Sequence, residues 1–363
     1  NTVATIDFAK QFKGHGWVGI KFQVEPDQAY NEILIHIRFK ENDARLQQET
    51  LGILGVNLIY GAFYKHNDAK KLLRYLYDHL DKDQLEIDTI NFSGPRFANV
   101  DNRLMSLQLV KNGMTDAVMF GPDGNNILPA AVLYKKNILA LRGSFRPVTK
   151  VNMDMYEKSL EMFLKENKVE KNNTLVVFEI TLSNLRSDGE IDERDFMDRA
   201  ELLCSLGQTV LISNFHEYYK LISYLNRFTQ KRMALIMGMP NLAYIFEEKH
   251  YQNLTGGILA AFATLFGTKI KLYLYPTADS DGNVVTSREF SPPAHLRGLF
   301  QYMLDNDKFE DVLNYDKNLL SIHTDSILKM IQSGESGWED YVPKSVAKMI
   351  KENCLFGFPC QLV

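Results

Sequence analysis

The sequence predicts an α/β protein, a (β/α)8 domain similar to a TIM barrel that is followed by a helical C-terminal extension. Short β-rich runs alternate with amphipathic helical runs, which is the order that parallel βα units produce. Eight β-rich runs can be counted, and eight is the number of strands that closes such a barrel. The predicted strands are Glu32–Phe39, Leu85–Ser93, Asp116–Phe120, Ile138–Arg142, Leu175–Ser183, Thr209–Ser213, Met233–Met237 and Ile270–Tyr275.

The alternative fold is a Rossmann-like, doubly wound parallel sheet. Strands that are covered by helices on both faces should be apolar throughout, whereas several runs here alternate between apolar and polar residues. In the first run, Ile33, Ile35 and Ile37 oppose His36 and Arg38. In a barrel, one face of each strand meets the helices and the other lines an interior that becomes polar near its mouth. The alternation therefore favours the barrel.

Three regions are predicted along the chain. Residues 1–30 form an N-terminal strand segment with an extra strand at Trp17–Gln23, residues 31–285 form the βα-repeat domain, and residues 286–363 form the helical extension. Because the chain begins at Asn1 rather than at methionine, we expect this first segment to continue from a missing upstream part.

The helical runs carry recognisable end signals. Asp192 occupies an N-cap position before the run Asp192–Leu206, and Gly207 follows its last residue. The other clear helical runs of the repeat region are Met153–Asn167 and Glu217–Phe228. The extension contains Ala294–Leu304, Ser326–Ser333 and Lys344–Asn353.

Composition is that of a soluble globular protein, with 363 residues, 45% of them hydrophobic and 24% charged. The net charge of -4 and the lack of a basic stripe with interleaved aromatic residues argue against nucleic acid as a partner. The longest apolar runs, such as Gly256 to Phe266, are too short to span a bilayer, so no membrane partner is expected.

Three cysteines cannot form a disulfide framework. Together with the lack of a signal peptide, they predict a reducing, cytoplasmic location.

Glu179 lies in the middle of an apolar run, where an ionised carboxylate costs several kcal/mol unless it is paired or used. Arg142 ends the preceding predicted strand, so an Arg–carboxylate pair across neighbouring strands is expected. The pair is either a buried ion pair that compensates itself or an acid/base group held by a guanidinium. His36 is a third catalytic candidate, against the alternative of a core histidine whose hydrogen bonds are satisfied.

Functional residues of parallel α/β folds lie at strand C-termini and in the loops that follow. Arg146 and Lys150 follow Arg142 beside a helix start, a combination that suits a phosphate or carboxylate. Glycine, proline, asparagine and aspartate also occur in ordinary turns, and this alternative remains open. The ligand-binding candidates are Asn91, Ser93, Asp123, Arg146, Lys150, Asn184, Ser213 and Asn214.

Known cofactor motifs are missing from the sequence. No P-loop, no H-E-x-x-H and no G-x-G-x-x-G after a strand is present, and no G-x-S-x-G surrounds Ser213. The carboxylates of Asp88, Asp123 and Glu179 could together hold a hard cation, although no spacing rule supports this. The cofactor is therefore unknown, with a divalent metal left open.

Four segments carry a resemblance to a known family. They are Gly121-Pro-Asp-Gly, Leu141-Arg-Gly-Ser-Phe-Arg-Pro-Val-Thr, Phe178-Glu-Ile-Thr-Leu-Ser-Asn-Leu and Glu190-Ile-Asp-Glu-Arg-Asp-Phe-Met-Asp-Arg. Over nearly its whole length the chain resembles a largely uncharacterised family of Bacteroidetes and cyanobacteria, often labelled nicotinate-nucleotide adenylyltransferase. That label implies a nucleotidyltransferase with H-x-G-H and I-S-S-T-x-x-R-like motifs. Gly14–Trp17 and Ile212–His216 match these motifs poorly, so no catalytic residue is transferred from the resemblance.

Three functions are consistent with these observations. The first is a cytoplasmic enzyme acting on an anionic small molecule at the strand C-termini, its reaction unidentified. The second is the nucleotidyltransferase that the resemblance implies. The third is a non-catalytic assembly or binding protein, such as a homo-oligomer, whose aromatic-rich stretches form an interface rather than core. These stretches are Tyr60–Tyr64, Tyr218–Tyr224 and Tyr244–Tyr251.

Overall fold

The structure is a computed structural model that describes residues 1–10, 13–187, 189–267 and 269–360. Two compact units divide the chain. Unit 1 comprises Asn1–Pro129 and Leu211–Asn214, and unit 2 comprises Ala130–Val210 and Phe215–Val363. Residues 1–30, predicted as a segment of their own, therefore belong to the same unit as the strands that follow them.

Unit 1 contains the first six strands and three helices of the chain. Its strands are β1 (Thr2–Ala4), β2 (His15–Phe22), β3 (Asn31–Phe39), β4 (Leu85–Ser93), β5 (Ala117–Phe120) and β6 (Asn126–Ile127). Its helices are α1 (Ala44–Tyr64), α2 (Ala69–Tyr75) and α3 (Asn102–Lys111).

The main sheet of unit 1 is antiparallel throughout, in the order β1-β2-β3-β4. The predicted extra strand at Trp17–Gln23 is confirmed as β2. The prediction that β3 and β4 begin a parallel repeat is wrong, because they pair antiparallel. Ile33, Ile35 and Ile37 are at most 1% exposed. Their alternation with polar residues reflects the two unlike faces of an antiparallel sheet, not the wall of a barrel.

Unit 2 contains most of the remaining elements. Its strands are β7 (Asn137–Arg142), β8 (Thr174–Thr181), β9 (Arg186–Ser187), β10 (Glu190–Ile191), β11 (Thr209–Ser213, which ends in unit 1), β12 (Met233–Gly238), β13 (Ile270–Tyr275), β14 (Thr277–Ala278), β15 (Val284–Val285) and β16 (Phe309–Asp311). Its helices are α4 (Pro129–Leu133), α5 (Lys150–Phe163), α6 (Glu193–Ser205), α7 (Tyr218–Leu225), α8 (Met239–Ile245), α9 (Gly257–Phe266), α10 (Arg297–Asp305), α11 (Thr324–Ser333) and α12 (Lys344–Asn353).

The sheet of unit 2 has the order β16-β13-β12-β7-β8, with β11 next to β8. The ladders from β16 through to β8 are all parallel. The chain runs outward from β7 to β8 and β11, and then returns to place β12 on the other side of β7. This order is that of a doubly wound sheet, the alternative fold. Among the described residues, no pairing closes the strands into a barrel.

The central strands of unit 2 explain the open arrangement. The consecutive residues Leu139, Ala140 and Leu141 of β7 are each at most 1% exposed. Burial of successive residues means that both faces of the strand are covered, as in sheets with helices on both sides. The α/β class with a large parallel-rich sheet is thus confirmed, whereas the barrel is not observed.

The C-terminal region is helical as predicted, with α10, α11 and α12. It also supplies the short strand β16, which pairs with β13 and which the sequence patterns did not reveal. Cys354 and Cys360 form a disulfide across six positions of the chain, a local bridge that the cysteine count did not predict. Cys204 is free and buried. In the part of the chain that is described, no helix combines the length and the apolar character needed to cross a membrane.

The predicted end signals of α6 are confirmed. The Asp192 side chain accepts hydrogen bonds from the backbone N–H groups of Arg194 and Asp195, both at 3.0 Å. Gly207 has a φ of 76°, the left-handed conformation that favours glycine after a helix.

We expect Asp192→Ala to lower the free energy of unfolding by about 1 kcal/mol, because two N–H groups at the start of α6 lose their acceptor. Urea denaturation followed by circular dichroism measures the loss. Asp192→Asn is the control, since its side chain still accepts these bonds. An asparagine variant as unstable as the alanine variant would contradict the capping role.

Candidate functional site

A pocket of about 330 Å³ lies in unit 2 at the carboxyl ends of β7, β8 and β12. Because the strands are parallel, their carboxyl ends meet at one edge of the sheet. The chain leaves β7 in one direction and β12 lies on its other side, so this edge is the switch point where doubly wound sheets bind their ligands. The lining residues are Arg142, Gly143, Ser144, Thr181, Ser183, Asn184, His216, Tyr218, Asn241 and Tyr244.

Arg142 and Glu179 form a bidentate ion pair at this edge. They are register partners of the β7–β8 ladder, so their side chains lie next to each other. The Arg142 Nε donates to Glu179 Oε2 at 2.7 Å, and Nη2 donates to Oε1 at 2.9 Å. The Glu179 side chain is 0% exposed and that of Arg142 is 9% exposed. The structure thus brings together the two residues that the sequence analysis paired.

Two further contacts fix the Arg142 guanidinium. Its Nη1 donates to the His216 carbonyl oxygen at 3.0 Å, and the group lies 4.3 Å above the Tyr218 ring. Burial alone would lower the pKa of Arg142, but the Glu179 carboxylate outweighs it and raises that pKa. Burial also raises the pKa of Tyr218 to about 12, so its phenol stays neutral near pH 7. Arg142 lines the pocket, whereas Glu179 does not.

Hydroxyl and amide groups complete the lining. The hydroxyls of Thr181 and Ser183 form a hydrogen bond of 2.7 Å with each other. The Asn184 Nδ2 donates to the Gly143 carbonyl at 3.3 Å. Asn241, in the first turn of α8, was not among the predicted residues. The signal was present in Gly238-Met-Pro-Asn, because proline is favoured in the first turn of a helix and Pro240 is the second residue of α8.

Arg146 and Lys150 do not join Arg142 at this pocket, which corrects the predicted anion clamp. Arg146 Nε lies 2.6 Å from Asp195 Oδ1, and Asp195 also pairs with Arg199. The Lys150 Nζ donates to the Asp340 carbonyl at 2.6 Å. Each of these cations thus has a partner of its own away from the pocket lining.

The start of α5 is closed by its own side chains. Thr149 and Asn152 form a capping box, in which the Thr149 hydroxyl accepts from the Asn152 N–H and Asn152 Oδ1 accepts from the Thr149 N–H. Two N–H groups at the helix end that was predicted to assist anion binding therefore have side-chain partners within the protein.

The other predicted residues lie in unit 1. His36 Nδ1 lies 2.6 Å from Asp88 Oδ1, and its Nε2 lies 3.4 Å from His15 Nδ1. Asn91 and Ser93 lie on β4, Asp123 lies in the turn before β6, and Ser213 and Asn214 end the segment Leu211–Asn214. None of these residues lines the pocket of unit 2. The lining of this pocket therefore does not support the prediction that they share one site with Arg142 and Glu179.

The three carboxylates considered for a metal each have other partners. Asp88 contacts His36 and Arg38, Asp123 accepts from Asn125, and Glu179 pairs with Arg142. Across the described ranges, no group of three histidine, cysteine, aspartate or glutamate residues is arranged to hold a metal ion.

The strand order and the pocket place unit 2 in the doubly wound α/β class, with a polar pocket at the edge where such sheets bind ligands. No protein-family model matches the chain, and no curated protein matches it. A solved structure of Plasmodium falciparum nicotinic acid mononucleotide adenylyltransferase, complexed with APC, is similar with a TM-score of 0.37 and 11% identity. The match covers 62% of this chain and 98% of that one. At this level of similarity it identifies neither a family nor an activity.

Proposed function

We propose that unit 2 binds a small anionic molecule, bearing a phosphate or a carboxylate, in the pocket that Arg142 lines. The observation that supports this most directly is the chemistry of the lining. It contains one guanidinium, one imidazole, several hydroxyls and amides, and no carboxylate. Groups of this kind donate hydrogen bonds, and donors favour an anion.

Arg142 is the residue that we assign to the anion. A guanidinium has five N–H donors. Three of them bond to Glu179 and to the His216 carbonyl, and the remaining N–H donors can bond to a ligand. Because its position is already fixed, little conformational freedom is lost when a ligand binds. Glu179 is then a positioning residue that holds Arg142, since it is buried and does not line the pocket.

The size of the pocket limits the ligand. Ligand pockets in proteins typically have volumes of about 300–1,000 Å³, so the 330 Å³ of this one lies near the lower end. A mononucleotide or a smaller phosphate or carboxylate compound suits this volume.

The strand order also favours a nucleotide as the ligand, in line with the second function considered above. In doubly wound sheets, the first βα turn carries the phosphate-binding residues. Here that turn follows β7. Its residues Gly143 and Ser144 line the pocket, whereas Thr149 and Asn152 form the capping box at the start of α5. Residues 143–149 contain no histidine, so this turn supports nucleotide binding through its lining residues and gives no support to adenylyl transfer by a histidine pair.

Isothermal titration with inorganic phosphate, AMP and nicotinate mononucleotide tests the proposal. We expect at least one of them to bind, and we expect Asn241→Ala to weaken that binding about tenfold, or about 1.4 kcal/mol. Asn253→Ala is the matched control, because Asn253 is exposed and lies outside the lining. If none of the three compounds binds, or if both variants behave alike, the proposal is wrong.

A separate assay addresses adenylyl transfer. The protein is incubated with ATP and nicotinate mononucleotide, and pyrophosphate release is followed. Because Gly14–Trp17 and Ile212–His216 match the adenylyltransferase motifs poorly, we expect no release. Release at a rate proportional to protein concentration would establish the transferase and would show that residues other than a histidine pair perform the transfer.

A further inference from the structure

Unit 1 has a pocket of its own, of about 620 Å³, on one face of its antiparallel sheet. Trp17 of β2, Leu34 of β3, and Thr89 and Asn91 of β4 contribute to its lining. These residues share a face because the register pairs Trp17 and Thr89 with His36, and Leu34 with Asn91. This pocket takes no part in the function proposed for unit 2.

The lining contains two buried polar atoms without a hydrogen-bond partner among the described residues. One is the hydroxyl of Thr89, a residue that is 7% exposed. The other is Oδ1 of Asn126. The Asn126 Nδ2 donates to the carbonyls of Ile90 and Asn102, so the orientation of the amide is fixed. In this orientation its Oδ1 accepts no hydrogen bond from the described residues. Buried polar atoms nearly always have a partner, so something outside the chain is expected to bind these two.

The charges of the lining disfavour an anion. Asp101, Arg103 and Asp123 supply two carboxylates against one guanidinium. Arg103 is already paired with Asp101 at 3.0 Å. Hydrogen bonds from the Asn125 side chain and backbone lower the pKa of Asp123, so this carboxylate stays ionised near pH 7. A phosphate or carboxylate ligand would meet a net negative lining, the reverse of the chemistry in the pocket of unit 2.

Apolar surface accompanies these polar groups. The Trp17 indole lines the pocket and is oriented by an edge contact with the His36 ring, at 5.0 Å between centroids. Leu34 is 42% exposed on the same face. An aromatic ring beside amides, a hydroxyl and a carboxylate matches a ligand with one apolar C–H face and a rim of hydroxyl groups. A hydroxyl both donates and accepts, so it can bind the Thr89 hydroxyl as well as the Asn126 oxygen.

We propose that the unit 1 pocket binds a neutral, polyhydroxylated ring, that is, a sugar or a sugar-like molecule. Trp17 provides the surface for the C–H face of the ring. Thr89 and Asn126 bind hydroxyls at the floor of the pocket, and Asn91 and Asp123 bind hydroxyls at its rim.

Tryptophan fluorescence provides the test, because the chain has only two tryptophans and Trp338 is 1% exposed. The full chain is titrated with D-glucose, D-galactose and D-ribose, and separately with inorganic phosphate. We expect a saturable fluorescence change with at least one sugar, in the millimolar range, and none with phosphate. Trp17→Phe should abolish that change.

Thr89→Val tests the floor of the pocket, because valine has nearly the shape of threonine without the hydroxyl. We expect it to weaken sugar binding about tenfold, because a hydroxyl of the sugar can no longer form its hydrogen bond to the protein. An unchanged urea unfolding midpoint serves as evidence of folding. Ser93→Ala is the control, since Ser93 lies on the same strand and face but outside the lining. If no sugar changes the fluorescence, if phosphate competes with the sugar, or if Thr89→Val and Ser93→Ala bind equally, the proposal is wrong.

Discussion

Replacement of Glu179 by alanine is expected to lower the free energy of unfolding by about 3–5 kcal/mol. Both carboxylate oxygens of Glu179 accept hydrogen bonds from Arg142, and the side chain is fully buried. Without the carboxylate, the guanidinium of Arg142 stays charged and largely buried without its counter-ion, and this is the main source of the loss. Urea denaturation followed by tryptophan fluorescence and circular dichroism measures it.

The control for this prediction removes both charges. The double variant Arg142→Leu with Glu179→Leu is expected to be clearly more stable than Glu179→Ala, because no uncompensated charge remains in the protein. It should nevertheless lose the anion binding proposed for the unit 2 pocket. If Glu179→Ala were as stable as the wild type, the ion pair would contribute nothing to folding and the positioning role of Glu179 would be refuted.

Replacement of Asp195 by alanine is expected to lower the free energy of unfolding by about 3 kcal/mol. Asp195 is buried in the first turn of α6 and is the carboxylate partner of two guanidiniums, Arg146 and Arg199. The Arg199 side chain is only 2% exposed. Burial lowers the pKa of Arg199, and the Asp195 carboxylate opposes this effect. Its removal therefore leaves a buried cation beside a second cation.

The same variant should also weaken ligand binding in the unit 2 pocket. Arg199 Nη1 donates to the carbonyls of Ser144 and Asn184, both of which line that pocket. Thermal unfolding and phosphate titration measure the two effects. Asp83→Ala is a matched control on an exposed aspartate, expected to stay within about 0.5 kcal/mol of the wild type. A loss of stability in Asp195→Ala no larger than in this control would contradict the assignment.

The positions of the strands could be predicted from the sequence, but their pairing could not. Three predicted strands have the observed bounds, namely Leu85–Ser93, Thr209–Ser213 and Ile270–Tyr275, and the other five agree within about two residues. Hydrophobic periodicity shows which residues of a strand are buried. It does not show which strand lies next to it or in which direction. The alternating pattern of β3 was therefore interpreted as a barrel wall, whereas it arises from an antiparallel sheet.

The candidate site, too, could be predicted from the sequence only in part. Arg142 and Glu179 could be paired from the sequence because they lie near the ends of consecutive strands, and consecutive parallel strands are commonly neighbours. Arg146 and Lys150 could not be placed, since their long side chains reach partners in distant parts of the chain. Arg146 pairs with Asp195 in α6, and Lys150 reaches the carbonyl of Asp340. Such partners are fixed by tertiary packing, about which the spacing of cations in one loop contains no information.

The central position of β7 has a consequence for synthesis on the ribosome. Ile138 of β7 pairs with Leu175 of β8 on one side and with Met233 of β12 on the other. At about 5–20 residues per second, β12 is translated about 5–20 s after β7. During that interval the backbone N–H and C=O groups on one edge of β7, whose side chains are apolar, have no strand to pair with, and such an edge is prone to aggregation. The nascent chain is therefore expected to need protection, from α5 or from a chaperone, until β12 and the pocket residue Asn241 have left the ribosome.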